Sequence, residues 1–226
     1  MNAIETKNLT KHYGDFTLDN ISFTLPMGCI MGLIGENGAG KSTVINLILD
    51  LIHKDSGEVV LLGEKNPEKF DSVKERIGVV LDESCFPEVL SSTDVGKIMA
   101  KTYQNWNPAE YERILRKFSL PKEKKFKNYS KGMKMKLSIA VALSHNAELL
   151  VLDEATSGLD PVVRDEILDM FYDFIQDERH SILISSHIIS DLEKICDYIT
   201  FIHKGKLLFS KEKDLLTEQY GILKCA

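Results

Sequence analysis

The stretch "CIMGLIGENGAGKSTVINLI", Cys29 to Ile48, constrains the fold more than any other part of the chain. It opens on an almost unbroken apolar run, the pattern of a strand buried on both faces and hence of a parallel sheet covered by helices. A glycine-rich loop follows, then an amphipathic segment that puts Val44, Leu47, Ile48 and Leu51 on one predicted helical stripe. The loop "GENGAGKS", Gly35 to Ser42, fits G-x-x-x-x-G-K-[ST], and a position between strand and helix is the context that gives this pattern meaning. Its glycines let backbone N–H groups turn inward on a β-phosphate. Lys41 can reach the β and γ oxygens, the Ser42 hydroxyl can ligate Mg²⁺, and the helix N-terminus adds positive potential.

The flanking sequence supports an α/β fold. Strands are expected in "AIETKNLT", "FTLDNISFTL", "GEVVLLG" and "RIGVVLD". From about Cys85 to His145 the pattern turns helical, in "TDVGKIMAKTY", "PAEYERILRKF" and "KGMKMKLSIAVALS", punctuated by Pro87, Pro108 and Pro121 and with no convincing strand. Residues 85–145 are therefore expected to form an inserted helical subdomain. "LLVLDE" and "SILISS" then flank the predicted helix "PVVRDEILDMFYDFIQDE", a strand–helix–strand alternation. One 226-residue domain is the expectation, with 1–84 and 146–226 forming the core.

Several function classes lose weight on composition. A formal net charge of −6 gives no electrostatic footprint for DNA or RNA, so no nucleic-acid partner is expected. No apolar run approaches the roughly 18–20 residues that span a bilayer, and no leader pattern opens the chain. Cys29, Cys85, Cys196 and Cys225 lack metal-site or disulfide spacing, which fits reduced structural thiols in a cytoplasm.

Two acids carry the next piece of chemistry. "LLVLDE" ends in Asp153 and Glu154, and a strand stopping there projects them from the C-terminal edge of the sheet, where open α/β folds bind ligands. Asp153 suits the Mg²⁺ shell; Glu154 suits the orientation or activation of an attacking water. Asp160, before Pro161, reads as a helix N-cap. His187 ends a predicted strand, and alone carries little weight.

Taken in order, these pieces resemble the nucleotide-binding subunits of ABC (ATP-binding cassette) transporters over essentially the whole chain. The resemblance implies a P-loop NTPase (RecA-like) core with an N-terminal antiparallel β-subdomain and an inserted helical subdomain. It identifies Tyr13, in "KHYGDF", with the aromatic residue that stacks on adenine. Gly35, Glu36, Asn37, Gly38, Ala39, Gly40, Lys41, Ser42 and Thr43 correspond to the Walker A loop, and "LLVLDE" to the Walker B strand. "SGLD", with Asp160, matches the D-loop, and His187 the switch histidine that senses the γ-phosphate. "YSKGM" aligns with the LSGGQ signature, which binds the γ-phosphate held by the other subunit. Ser130 and Gly132 are kept there, whereas Lys131 replaces the first glycine and Met133 the glutamine. Lys131 adds charge near the phosphates, and Lys134 and Lys136 read as a solvated basic face.

A further departure lies in "IGVVLDES". The family's Q-loop glutamine, which touches Mg²⁺ or the lytic water, is Asp82 in this chain, with Glu83 or Ser84 as alternative contacts. A carboxylate there favours the metal and repels the phosphates. The resemblance implies ATP and Mg²⁺ as ligands, a second cassette and a transmembrane permease as partners, and a place on the inner face of the membrane through that permease. "YSKGMKMKLSIAVAL" and "DEATSGLDPVVRDEIL" are most similar to ABC-2-type exporters of antimicrobial peptides, toxins and drugs. The alternative is a soluble ABC ATPase acting on nucleic acid or ribosomes, but the basic linker or long coiled coil of such relatives is missing. A P-loop kinase would need an arginine lid, and Arg76, Arg113 and Arg116 do not cluster as one.

Overall fold

Nine strands build one mixed sheet in the computed structural model, which describes residues 1–65, 70–82 and 86–219. β1 (Asn2–Tyr13), β2 (Phe16–Pro26) and β4 (Ser56–Leu61) form its antiparallel end. The remaining strands are β3 (Ile30–Ile34), β5 (Ile77–Val80), β6 (Leu149–Asp153), β7 (Ser181–Ser186), β8 (Tyr198–His203) and β9 (Lys206–Glu212). Their order across the sheet is β4-β1-β2-β9-β8-β3-β7-β6-β5, with β8, β3, β7, β6 and β5 mutually parallel. This is the expected P-loop NTPase core with its N-terminal antiparallel part. The hairpin β8–β9 and the short helix after β7 are not among the expected elements; "YITFIHKGKLLF" mixes polar with apolar residues around the Lys204–Gly205 turn and lacks the unbroken apolar run of β6.

Alternation in the central strands divides the core in two. Leu150 and Leu152 of β6 and Ile182 and Ile184 of β7 face one apolar cluster, while Leu149, Val151 and Leu183 face the other. The first is completed by α3 (Ser92–Thr102), α4 (Pro108–Lys117), α5 (Lys131–Leu143) and α6 (Pro161–Phe174). The second is completed by α1 (Lys41–Ile48), the short α2 (Phe70–Lys74) with its Val73, and the antiparallel strands. The segment inserted between β5 and β6 thus shares its apolar core with the sheet. Its helices begin on local chemistry: Ser91 and Asp94 form a capping box for α3, and Asn107 caps α4 with Pro108 in its first turn.

Two expectations need correction. α1 stops at Ile48, and Asp50 takes a left-handed conformation (φ 55°) that turns the chain away, so Leu51 is exposed rather than on the buried stripe. Nor do Lys134 and Lys136 form a solvated basic face. Lys134 Nζ sits 5.0 Å from the centre of the Phe126 ring; Lys136 Nζ sits 5.3 Å from that of Phe118 and bonds Glu166 of α6 at 2.5 Å. The stems of these lysines cover apolar surface while their charges find aromatic or acidic partners. Cys29 is half-buried and Cys196 buried, as structural thiols; Cys85 and Cys225 lie outside the described residues.

Candidate nucleotide site

Strand register gathers the acids, the lysine and the histidine. β7 pairs with both β3 and β6, Ile34 opposite Ser186 and Asp153 opposite Ser185. The loops leaving these three strands therefore share one sheet edge, and β5 adds Asp82 from the far side of β6. A cavity of about 430 Å³ opens there. Glu36, Asn37, Gly38, Gly40, Lys41, Ser42 and Thr43 line one wall; Asp82, Glu154, Ser157 and His187 face them.

The loop's glycines are demanded by space. A Cβ on Gly35 would stand 2.5 Å from the Ile202 carbonyl oxygen and 3.0 Å from the Ala39 Cβ. Gly40 caps α1 at φ 111°, where a Cβ would also strike Leu18 and Phe16 at 3.0 Å. Behind the loop Lys41 is buried. Its Nζ donates to the carbonyls of Gly35 (2.8 Å) and Glu36 (3.3 Å) and lies 3.2 Å from Glu154 Oε1.

Glu154 takes a left-handed backbone conformation (φ 52°), unusual for a residue with a side chain and held by bonds from its N–H to Ser185 O (3.2 Å) and Oγ (3.0 Å). Its second oxygen meets His187 Nδ1 at 2.7 Å. Asp153 is buried beside it and accepts a 2.5 Å hydrogen bond from Ser185 Oγ. Ser185 thus ties the two acids together, a role hidden in the sequence because nothing in it shows that β7 lies beside β6.

Not every expected residue lines this cavity. Gly35, Ala39 and Asp153 stand behind the surface. Tyr13 ends β1, 44% exposed, with Lys11 Nζ 5.5 Å from its ring centre; the aromatic that lines the cavity is Phe16, across the hairpin from it. The end of β1 is clamped by Asp55, which accepts from Lys11 Nζ (2.9 Å) and His12 N (2.7 Å) and meets His12 Nδ1 at 2.8 Å. The Lys11 bond, followed by the His12 contacts, holds the Asp55 carboxyl far below the usual carboxylate range.

Ser130, Lys131, Gly132 and Asp160 belong to a separate cavity of about 290 Å³, shared with Gly158. Ser130 caps α5 by accepting from Met133 N (3.2 Å), which leaves its hydroxyl proton free to be donated. Asp160 caps α6 by accepting from Val163 N (3.1 Å). Lys131 Nζ lies 3.9 Å from Asp82, across from the first cavity. Glu83 and Ser84 lie outside the described residues.

Residues 18–157, from β2 through the acids to Ser157, match the family model described as ABC transporter. The chain belongs to the ABC transporter family. Among similar proteins, a bacitracin transport ATP-binding protein, BcrA of Enterococcus faecalis, is 38% identical over 209 residues, covering 91% of this chain and 68% of the relative. A lantibiotic transport ATP-binding protein, SrtF of Streptococcus pyogenes, is 35% identical over 214 residues, covering 93% and 91%. A solved ATP-binding subunit of an ABC transporter superposes with a TM-score of 0.85 at 27% identity, covering 96% of this chain and 92% of that one. An ATP-binding cassette solved as a dimer with ADP and Pi superposes at 0.82 over 92% of this chain and 98% of its own; at 20% identity it supports the fold alone. This cassette is an ATP-binding, ATP-hydrolysing subunit. Among its described residues no helix is long and apolar enough to cross a membrane.

Proposed function

We propose that this cassette binds Mg·ATP in the larger cavity, pairs with a second cassette across the nucleotide, and powers a permease that exports peptide-like antimicrobials, toxins or drugs. The observation that carries the pairing is the division of the anion-binding groups. Lys41 and the glycine loop line one cavity and the Ser130–Gly132 helix start lines another, so neither cavity holds the full set. In this reading the two halves meet only when a partner's Ser130 and Gly132 face the γ-phosphate bound by Lys41. The relatives named for bacitracin and lantibiotic transport support an export role and do not favour action on nucleic acid or ribosomes. A permease partner then places the cassette at the inner face of the membrane.

Hard oxygen donors suit Mg²⁺: the exposed Ser42 hydroxyl, the Asp82 carboxylate, and the free oxygen of Asp153, whose other oxygen is taken by Ser185. Bound there, Mg²⁺ would neutralise charge on the β and γ oxygens. Glu154 is the group that orients the attacking water and takes its proton as the bond from water oxygen to the γ-phosphorus forms and the β–γ bridge breaks. His187 holds that carboxylate from the side away from Lys41. Tyr13 or Phe16 supplies the face on which adenine stacks.

Sedimentation of Glu154→Gln protein tests this reading. It is expected to be monomeric alone and dimeric with Mg·ATP, with turnover abolished, and addition of Ser130→Arg is expected to remove the dimer while single-subunit ATP binding persists. An oligomer independent of ATP, or a Ser130→Arg dimer of normal strength, contradicts the shared site.

A further inference from the structure

Two positions depart from the family's motif pattern in charge, Asp82 for a glutamine and Lys131 for a glycine, and the fold brings them to each other. Asp82 follows β5 and lines the nucleotide cavity; Lys131 opens α5, on the inserted helical segment. The lysine crosses between them over the D-loop glycine. A Cβ on Gly158 would lie 3.0 Å from Lys131 Nζ, 3.7 Å from its Cε and 3.8 Å from its Cδ. A side chain there would crowd the ammonium, and Gly158, at φ 67°, leaves this path open. The ammonium ends 3.9 Å from Asp82 Oδ1.

We propose that Lys131 serves the nucleotide site of its own subunit, as the counter-ion that lets a carboxylate at Asp82 face the phosphates of ATP. The proposal rests on the reading that the larger cavity takes ATP. The other carboxylate opposite the loop, Glu154, has Lys41 and His187 against it. At Asp82 the ion pair among the described residues is the one with Lys131. A triphosphate brings several negative charges into this space, and an uncompensated carboxylate beside it lowers affinity through a repulsion that salt screens. Lys131 offsets that charge from within the subunit. It also joins the cavity to the start of α5, the helix whose N-terminus is proposed to meet the partner's nucleotide. In the alternative, Lys131 contacts only the partner's phosphates, and a single subunit is indifferent to it.

A double-mutant cycle on the full chain, at concentrations where it sediments as a monomer, separates the two. Trinitrophenyl-ATP is titrated by fluorescence in EDTA, so that no metal masks the charge of Asp82. Lys131→Ala is expected to raise Kd about fivefold at roughly 50 mM salt and less at roughly 500 mM. In the Asp82→Asn background the same Lys131→Ala change is expected to shift Kd by less than about twofold, because the charge it compensated has gone. Adding Mg²⁺ is expected to shrink the Lys131→Ala defect. Both side chains are half-exposed, so the variants keep the fold, and the charge-reversed pair Asp82→Lys with Lys131→Asp is expected to bind better than either reversal alone. An unchanged Kd for Lys131→Ala, or an equal loss with Asp82 and with Asn at that position, overturns the inference while the ATP site stands. A wild-type chain that binds no nucleotide overturns the inference together with the reading beneath it.

Discussion

Replacing Ser185 by alanine removes one oxygen atom from the C-terminal end of β7, and the structure allows its cost to be worked out. Ser185 is fully buried; its hydroxyl donates to Asp153 Oδ1 at 2.5 Å and accepts from Glu154 N at 3.0 Å. The Glu154 N–H keeps a second acceptor, the Ser185 carbonyl at 3.2 Å, so it is not orphaned. The main loss is therefore the charge-assisted bond to a buried carboxylate, about 1.5–3 kcal/mol, while the cavity left by one oxygen is small. For a chain of this size a 2 kcal/mol loss lowers Tm by about 4–8 °C. Ser185 also sets the orientation of Asp153 and the strained turn at Glu154, so on the proposed reading, in which Asp153 would hold Mg²⁺, kcat is expected to fall about 10–100-fold, the range for removal of groups that orient metal ligands. Urea unfolding followed by circular dichroism gives the first number and phosphate release gives the second. A stability loss under about 0.5 kcal/mol would refute the charge-assisted bond. A normal kcat in a destabilised protein would show that the acids hold their geometry without Ser185.

Two further predictions concern the hairpin and the helical segment. Tyr13→Ala and Phe16→Ala are each compared with Tyr13→Trp by calorimetric titration with ATP. Loss of a stacking face is expected to cost about 1 kcal/mol, roughly fivefold in Kd, and the variant that is silent identifies the ring that does not carry the base. Asp94, whose carboxyl is lowered to about 2 first by the Ser91 N–H and then by the Ser91 hydroxyl, stabilises α3 only while ionised. Its contribution is complete above the unfolded carboxylate pKa near 4 and disappears as pH falls from about 4 to about 2. The Tm difference between the wild type and Asp94→Asn is therefore expected to be full at pH 5 and to close across that interval; a gap that persists below it would place the stabilisation elsewhere.

Sequence was most informative where local chemistry leaves one option. The Gly35–Ser42 pattern requires a strand before it and a helix after it, and both are present as β3 and α1. The acids ending β6 follow from four consecutive apolar residues that only a strand covered on both faces accommodates. What was hidden depends on register across the sheet. Ser185 became visible as a support of the acids only once β7 lay beside β6, and Phe16 as a cavity wall only once its hairpin lay over Gly40. Lys136 looked like surface charge because the sequence does not show Phe118 or Glu166 across the helix pair.

On the proposed reading, the ion pairs around Glu154 also bear on how ATP loading would be coupled to hydrolysis. Lys41 Nζ is shared among Glu154 and the carbonyls of Gly35 and Glu36. A buried ammonium has three protons to donate, so each phosphate oxygen it takes on displaces one of these partners. The partner with competing support is Glu154, whose other oxygen is already held by His187. On the proposed reading, ATP thus releases the carboxylate from Lys41 at the moment the γ-phosphate arrives, and His187 keeps it aimed. While Lys41 holds Glu154 Oε1, that oxygen is engaged by the ammonium and not open to a water, so the acid is free to take up a water only once its substrate is in place. On that reading the same exchange makes phosphate binding compete with an internal salt bridge, so part of the interaction of Lys41 with ATP is offset by the loss of its contact with Glu154.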